Sequence, residues 1–563
     1  MKSHRFQLMQ LLPIFGWLRE YTRPWLRADI VAGLTASAVV IPKAMAYATI
    51  AGLPVQVGLY TAIVPMVVYV LLGTSRPLSV STTTTIAILS AAALGEAVPD
   101  GNVAALLSAS ATLAVLVGGI LVLASVLRFG FIANFISEPV LIGFKAGIAL
   151  VIVVDQLPKF LGVHINKTGF LRDVLAIARH LPHTSLLTLA ITVTLLVLIF
   201  VLERFVPRAP APLIAVASAI AASALFGLQT HGVAMVGEVP RGLPSLVWPQ
   251  WGLLVAMWPA AAGIALMSFT ETIAAARAFS DPNEPRLVPN QELLAMGIAN
   301  VAGGLFGAMP AGGGTTQTAV NRRAGARTQM AEVVTAAMAV ATLLLLAPLI
   351  ALMPQAALAA VVVAYSVELI KLAEFRAILR IRRVEFLWAV VAFAGVMFLG
   401  TLKGIVVAVI VSMVALARQT YDPPVYRLAR KRGTDVFRQI TDRHPDDETW
   451  PGLLIVRAEG RMFFANAERV GEKIMALIEQ VRPKVVLFDC SAIFDIEFTA
   501  LKMLAEADKK LQRMDIILWM AGLNPNVRNM VQRSPLGESL GNARLFYNAE
   551  TAVEHYEKMS RLV

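Results

Sequence analysis

The amino-acid sequence predicts a polytopic α-helical membrane protein with a small α/β domain at its carboxyl end. Of its 563 residues, 57% are hydrophobic and only 15% are charged, whereas soluble domains carry about 25% charged residues. Apolar segments recur from Ile30 to Ala417, many of them close to the length of about 20 residues that crosses a bilayer. This composition excludes an ordinary soluble enzyme.

The amino-terminal segment is too polar to be a membrane span. Its apolar stretch of about eight residues is too short to cross a bilayer, and basic residues such as Arg5, Arg19 and Arg27 surround it. We therefore predict that residues 1–28 form an amphipathic cytoplasmic arm and not a cleaved signal peptide.

The apolar segments that follow, within residues 29–418, predict about fourteen membrane spans. Their centres lie near Val39, Met66, Ala87, Val115, Ala149, Leu195, Val216, Ala265, Ala299, Ala319, Leu344, Val362, Ala392 and Ile410. Loops near Arg76, Arg128, Arg204, Arg277, Arg322 and Arg376 carry positive charge and alternate with loops near Pro54, Glu96, Pro310 and Pro354 that carry none. This positive-inside pattern predicts a multi-pass protein with both termini cytoplasmic, in the inner (plasma) membrane. The mixed-charge segment from Asp155 to His183 is predicted outside and is an exception.

The carboxyl-terminal part is soluble in character. Residues 419–449 are predicted to form a linker with an edge strand. In residues 450–563, the strand-like runs GLLIVRAEG, VVLFDCSAI and DIILWM alternate with helical patterns near Ala467–Gln480 and Thr499–Arg513, which favours a small α/β domain.

Charge and cysteine content exclude several classes of partner and cofactor. The net charge is +12, but this excess lies in the membrane part, where topology explains it, so we expect no nucleic-acid partner. Cys490 is the single cysteine, which rules out an intramolecular disulfide and a cysteine-based metal site. We expect no cofactor and no metal.

Two segments interrupt apolar spans with small polar residues: LSVSTTTTIAI from Leu78 to Ile88, and PAGGGTTQTAV from Pro310 to Val320. With seven spans in each half they occupy equivalent positions, three and ten, and such pairs mark transporter sites. Helices that begin inside the membrane present free N–H groups and a positive dipole end, which suit an anion. The predicted ligands are Thr82, Thr83, Thr84, Gly314, Thr315, Thr316 and Gln317. The alternative is that these small residues only tune helix packing.

Charged residues within the spans add further candidates. Lys43 lies mid-span beside Pro42, too deep for easy snorkelling, and Tyr47 follows one helical turn later. Glu271 is predicted to be a protonation switch or a counter-charge to Lys43, or else a structural partner of Arg277. Lys145 has two alternative interpretations: it belongs to the anion site, or it pairs with Glu138.

The run DIVAGLTASAVVIPKAMAYATIAGLPVQVGLYTAIVP resembles the signature of the sulfate permease (SulP) family of anion transporters. SRPLSVSTTTT, MSFTETIAAARAF, NQELLAMGIANVAGGLFGAMP and TAVNRRAGART are similar to that family's third, eighth, ninth and tenth spans, and the carboxyl-terminal part resembles its STAS domain. The resemblance implies a seven-plus-seven inverted repeat with core and gate domains, a homodimer, and an anion held between spans three and ten.

Two departures from the family pattern bear on the substrate. Lys43 stands where members often have glutamine, and Thr316 and Gln317 stand where they often have a Ser-Arg pair. The cation of the site is therefore expected on span one. In the STAS domain, Phe498 replaces a frequent hydroxyl, although Thr499 remains, so a dimerisation or scaffold role is preferred over phosphoregulation.

The resulting hypothesis is a secondary active transporter of a small inorganic anion, sulfate first, that works by alternating access and is proton-coupled through Glu271. The sequence holds no G-x-x-x-x-G-K-[ST] loop and no nucleophile–base pair in the spans, so neither an ATP-driven pump nor an enzyme is expected. The alternatives are sodium-coupled bicarbonate transport, proton-coupled dicarboxylate transport, and a membrane sensor or scaffold that signals through its soluble domain.

Overall fold

The computed structural model describes residues 12–134, 137–163, 165, 170–206, 209–240, 242–281 and 284–561. The chain forms two compact units, Met1–Ser412 and Met413–Val563. Residues 1–11 of the predicted amino-terminal arm lie outside the described part. The proposed limits of the arm, the membrane domain, the linker and the soluble domain stay predictions.

The first unit is helical apart from two short strands. Its elements are α1 (Ile14–Arg19), α2 (Arg23–Ile50), α3 (Val55–Thr61), α4 (Val64–Leu72), β1 (Val80–Ser81), α5 (Thr84–Ala97), α6 (Val103–Val126), α7 (Glu138–Leu161), α8 (Phe170–His180), α9 (Leu186–Phe205), α10 (Ala211–Phe226), α11 (Leu254–Ala278), α12 (Pro289–Leu305), β2 (Gly312–Gly313), α13 (Thr315–Arg323), α14 (Met330–Ala341), α15 (Ala347–Ala351), α16 (Gln355–Val367), α17 (Leu372–Ile381), α18 (Arg383–Leu399) and α19 (Thr401–Tyr421), the last of which continues into the second unit.

Every predicted span centre lies in a helical segment, with Leu344 in the π-helical turn Thr342–Leu346. Helix α2 continues through Pro42. In the described part, eight helical segments are long and apolar enough to cross a membrane, fewer than the predicted spans. The difference has a physical cause at α5 and α13, which have only 14 and 9 residues because each begins after a short strand.

Small residues allow close approach between the long helices. Gly118 of α6 faces α12. A Cβ atom on Gly118 would lie 2.6 Å from the backbone nitrogen of Val301 in α12. Such contacts are typical of helix packing in membranes, where dispersion replaces the hydrophobic effect as the force between helices.

The second unit is an α/β domain. Its elements are β3 (Val425–Arg430), β4 (Phe437–Gln439), β5 (Leu453–Ala458), α20 (Ala467–Val481), β6 (Val485–Asp489), α21 (Phe498–Gln512), β7 (Ile517–Ala521), α22 (Pro525–Gln532), α23 (Pro535–Leu540), β8 (Leu545–Phe546) and α24 (Ala549–Ser560). The strand order is β4-β3-β5-β6-β7-β8, with parallel pairing from β5 to β8.

Alternate residues of the central strands supply two cores, one on each face of the sheet. Leu454 and Val456 pack in the cluster that includes residues of α20 and α21, whereas Leu453 and Ile455 pack with residues of α24. The predicted alternation of strands and helices is confirmed. Strand β3 lies inside the sheet, and β4 is its edge.

Candidate functional site

The two short strands of the first unit bring the starts of two helices together. Strands β1 and β2 pair antiparallel, with Val80 opposite Gly313, and the Gly314 N–H donates to the Ser79 carbonyl at 3.0 Å. Helix α5 begins three residues after β1, and α13 begins two residues after β2. The antiparallel pairing therefore places the amino-terminal ends of α5 and α13 around one space.

Glycine is required at the crossing of these segments. A Cβ atom on Gly313 would lie 2.7 Å from the Thr272 Cα atom of α11. The Gly313 N–H also donates to the Thr272 hydroxyl at 2.9 Å. Strand β2 is thus fixed against α11 at a distance that no larger residue permits.

The space between the helix starts is a cavity of about 80 Å³, which we call the central cavity. It is lined by all ten predicted site residues: Lys43, Tyr47, Thr82, Thr83, Thr84, Glu271, Gly314, Thr315, Thr316 and Gln317. The structure therefore brings together residues from α2, α11 and both interrupted segments. Its volume is far below the roughly 300–1,000 Å³ of pockets for drug-sized ligands, so it suits a small ion.

The helix ends supply hydrogen-bond donors and positive potential. At the start of α5, the Thr83 hydroxyl accepts from the Ile86 N–H at 3.3 Å, whereas Gly314, the N-cap of α13, has no side chain with which to cap. The first N–H groups of a helix lack intrahelical partners, and each helix start carries roughly half a positive charge. An anion in the central cavity would be stabilised by both ends.

Two polar side chains of the cavity are poised for a ligand. The Thr82 hydroxyl is buried and has no hydrogen-bond partner among the described residues. The Gln317 amide oxygen accepts from the Ser81 hydroxyl at 2.9 Å, which leaves the amide N–H groups as the donors that Gln317 can offer. Both side chains can donate to an oxyanion.

Lys43 is buried, with 1% of its surface exposed. Its ammonium nitrogen lies 3.3 Å from the ring centroid of Tyr365 in α16, which is a cation–π contact. Lys43 and Gln317 line the same cavity. The ammonium group of Lys43, on span one, therefore reaches the space beside Gln317, the position at which family members often have arginine.

Glu271 has a different ion-pair partner from the two that the sequence suggested. Its carboxylate accepts from the Thr83 and Thr85 hydroxyls at 2.7 and 2.9 Å and lies 3.7 Å from the Lys145 ammonium. Lys145 thus pairs with Glu271 on the cavity wall. No salt bridge to Lys43 is found among the described residues.

Sequence reasoning left out four lining residues, Thr85, Lys145, Gly313 and Leu369, and the neighbouring Tyr365. Thr85 could have been found, because it belongs to the same threonine run. Lys145 was weighed as a membrane lysine, but its partner lies 126 positions away. Leu369 and Tyr365 do not belong to a polar segment that interrupts an apolar span, so the sequence gives no sign of their role. Tertiary packing alone brings them to the site.

Comparison with known proteins gives matches along the whole chain. Residues 26–392 match the sulfate permease family, and residues 444–552 match the STAS domain. A probable sulfate transporter of Mycobacterium tuberculosis is 36% identical over 553 residues, covering 96% of this chain and 98% of that protein. The chloroplastic sulfate transporter 4.1 of Arabidopsis thaliana is 29% identical and covers 97% of this chain and 82% of that protein.

Solved structures show the same fold. The structure of the murine Solute Carrier 26 family member A9 anion transporter in the inward-facing state matches with a TM-score of 0.91 at 23% identity, covering 99% of this chain and 95% of that one. The transmembrane domain of the cyanobacterial bicarbonate transporter BicA matches with a TM-score of 0.62 at 23% identity, over 70% of this chain and 98% of that one.

Proposed function

The chain belongs to the sulfate permease family, a family of transporters and not of enzymes, and from this premise we propose that it transports a small inorganic anion, sulfate, by alternating access. One observation carries the proposal: residues from α2, α11 and both interrupted segments meet in a single cavity between two helix starts. The substrate is inferred from the sulfate transporters that resemble the chain over nearly its full length.

The charges around the central cavity favour an anion. Glu271 and Lys145 form a pair, so their charges offset each other. Lys43 and the two helix starts contribute positive potential, which Glu203 and Glu368 offset in part at Lys43. Because lysine is a point charge and not a planar fork, selectivity would depend on the threonine hydroxyls and the Gln317 amide.

Proton coupling is proposed to act through Glu271. This carboxylate lines the same small cavity as the proposed anion, so the two negative charges would repel each other. A proton carried by Glu271 would remove this repulsion and strengthen anion binding. Anion and proton would therefore move together.

The remaining features follow from the predicted topology. We propose that the protein lies in the inner (plasma) membrane with both termini and the STAS domain cytoplasmic, since the arginine-rich loops alternate with uncharged ones. A homodimer, which the family resemblance implies and the topology does not, is also proposed, with the STAS domain as a dimerisation or scaffold module.

The test is uptake of labelled sulfate into proteoliposomes with an imposed proton gradient, with bicarbonate, dicarboxylates and chloride as competitors. The parent should accumulate sulfate, and Lys43→Gln should lose uptake. Lys159→Gln is the matched control, because Lys159 is a membrane-helix lysine outside the central cavity whose ammonium donates to the Thr49 carbonyl at 3.4 Å. Transport of bicarbonate or a dicarboxylate in place of sulfate would overturn the substrate assignment.

A further inference from the structure

A second cavity, of about 930 Å³, lies in the first unit and shares no lining residue with the central cavity. It is open on one side and bordered by α1, the carboxyl-terminal ends of α4 and α6, and the start of α12. Its walls carry three arginines, and we call it the basic cavity. Nothing in the proposed transport mechanism uses it.

The arginines outnumber the acids. Arg76 pairs with Glu20 at 3.2 Å and also lies over the Trp25 ring, 5.6 Å from its centroid. Arg128 and Arg286 line the same space, and no described carboxylate lies within salt-bridge distance of either. The basic cavity therefore keeps an excess of two positive charges, which calls for an anionic ligand.

Two buried polar atoms on the walls lack partners. The Trp17 indole N–H and the Gln329 amide oxygen are buried and form no hydrogen bond with any described residue, and both residues line the cavity. The Gln329 amide nitrogen is in turn held by the Ser75 and Leu78 carbonyls at 2.8 and 2.9 Å. An unpartnered buried donor and acceptor are costly, so the site is built for a ligand with polar groups.

The surroundings point to a lipid. Helix α1 buries Trp17 on the cavity side, while Phe15 and Leu18 are 44% and 46% exposed. A short helix with one such apolar face is typical of the membrane interface. On α2, which follows α1, Ile30 and Val31 are exposed as well, as expected for contact with acyl chains.

We propose that the basic cavity binds the phosphate head group of an anionic phospholipid through Arg128 and Arg286. Cationic pockets between membrane helices recognise such head groups, and the guanidinium fork matches phosphate oxygens. The exposed apolar faces of α1 and α2 contact the acyl chains of the same lipid. The site is independent of the proposed transport of sulfate.

The test is direct binding of short-chain phosphatidylglycerol to the purified full-length protein, compared with short-chain phosphatidylcholine and with glycerol phosphate. Each arginine near a membrane surface strengthens the binding of an anionic lipid about fivefold. Arg286→Gln should therefore weaken phosphatidylglycerol binding about fivefold, and the double variant Arg128→Gln with Arg286→Gln should weaken it about thirtyfold. Both arginines are exposed, so folding should survive, and thermal unfolding of each variant checks it.

The matched control is Arg376→Gln with Arg380→Gln, which removes the same charge from exposed positions on α17 outside the cavity. Binding as in the parent is expected there. The proposal is overturned if the Arg128 and Arg286 variants bind phosphatidylglycerol like the parent, or if the control loses binding equally. It is also overturned if phosphatidylcholine binds as tightly, or if glycerol phosphate matches the lipid, which would indicate a soluble phosphate site.

Discussion

At the residue scale, Lys43 is a charged side chain buried within a membrane helix. A lysine at the centre of a membrane helix costs about 2.5–3.5 kcal/mol on insertion scales, and a desolvated cation–π contact returns about 2 kcal/mol. The described residues give Lys43 the Tyr365 ring but no salt bridge. Glu203 and Glu368 attract Lys43 at longer range, and a bound anion would add a direct ionic contact to this buried charge.

Glu271 should be the coupling residue. Glu271→Gln keeps an acceptor for the Thr83 and Thr85 hydroxyls but cannot exchange a proton. We expect sulfate accumulation driven by a proton gradient to fall at least about tenfold, because the glutamine loses the linkage between anion and proton. Labelled sulfate uptake with and without the gradient measures this effect.

Sulfate exchange without a gradient should persist in Glu271→Gln. The matched control is Glu96→Gln, at an acidic residue outside the central cavity. Gradient-driven uptake that is unchanged in Glu271→Gln would contradict proton coupling at this residue.

At the element scale, the site depends on two strands of only two residues each, which could not be stable alone. Buried bonds hold them in place. The carboxylate of Glu332 accepts from the Ser79 hydroxyl and the Asn321 amide, each at 2.9 Å, and thereby connects the β1 segment to α13. This network supports the strand pairing that places the helix starts.

Gly313→Ala should disrupt the crossing of β2 with α11, because the added methyl group meets backbone and not a flexible side chain. We expect sulfate binding to weaken at least about tenfold. Displacement of β2 would move the start of α13 away from the anion, and the electrostatic attraction between them falls with distance. Isothermal titration of the purified protein with sulfate measures it.

Gly119→Ala in α6 is the control for this substitution, since no heavy atom lies within 4 Å of the added methyl group. It should bind sulfate like the parent and gain up to about 1 kcal/mol of helix stability. Unimpaired binding in Gly313→Ala would show that the close crossing is not needed for the site.

The edge strand β4 of the second unit should make stability depend on pH. Arg438 donates two hydrogen bonds of 2.8 Å to Asp447, and these bonds lower the pKa of the Asp447 carboxyl below its usual range. A lowered pKa in the folded state stabilises the fold above the unfolded value of about 3.9, and this contribution is lost as pH falls through the folded value.

Asp447→Asn should therefore lower the unfolding temperature of the second unit at neutral pH, and the difference from the parent should vanish in strong acid. Calorimetry of the full chain across this pH range tests the prediction. Asp435→Asn, at an exposed aspartate nearby, is expected to show little effect at any pH. A constant difference between Asp447→Asn and the parent at all pH values would exclude the ion pair as the cause.

The long helices and the polar segments that interrupt them could be predicted from the sequence. Apolar runs and polar interruptions are patterns of neighbouring residues, so they can be recognised without the tertiary structure. The fourteen span centres and the convergence of the threonine run with the Gly314–Gln317 segment were predicted on this basis. The Lys145–Glu271 pair and the Tyr365 ring were not, since each is a contact between residues distant in the chain. Strands β1 and β2 were also missed, because two residues carry no periodicity.

At the scale of the whole molecule, every residue that lines the central cavity belongs to the first unit. The second unit has its own sheet and its own two cores. The proposed anion site can therefore be tested separately from the STAS domain.

Removal of residues 450–563 should lower the amount or the rate of transport without abolishing sulfate binding. The truncated chain keeps the whole central cavity, so its affinity for sulfate should stay within about threefold of the parent, which corresponds to less than 1 kcal/mol. Titration of both purified proteins with sulfate gives the comparison. Complete loss of sulfate uptake in a truncated chain that still folds and still binds sulfate would favour the sensor or scaffold hypothesis.

The most direct measurement exchanges the position of the cation in the central cavity. Sulfate binding and uptake are compared in the parent, in Lys43→Gln, and in Lys43→Gln combined with Gln317→Arg, which restores the pattern frequent in the family. Because both residues line the same cavity, sulfate binding should be lost in the single variant and recovered in the double variant. Sulfate binding that is unchanged in Lys43→Gln would contradict the proposed role of Lys43 as the cation of the site.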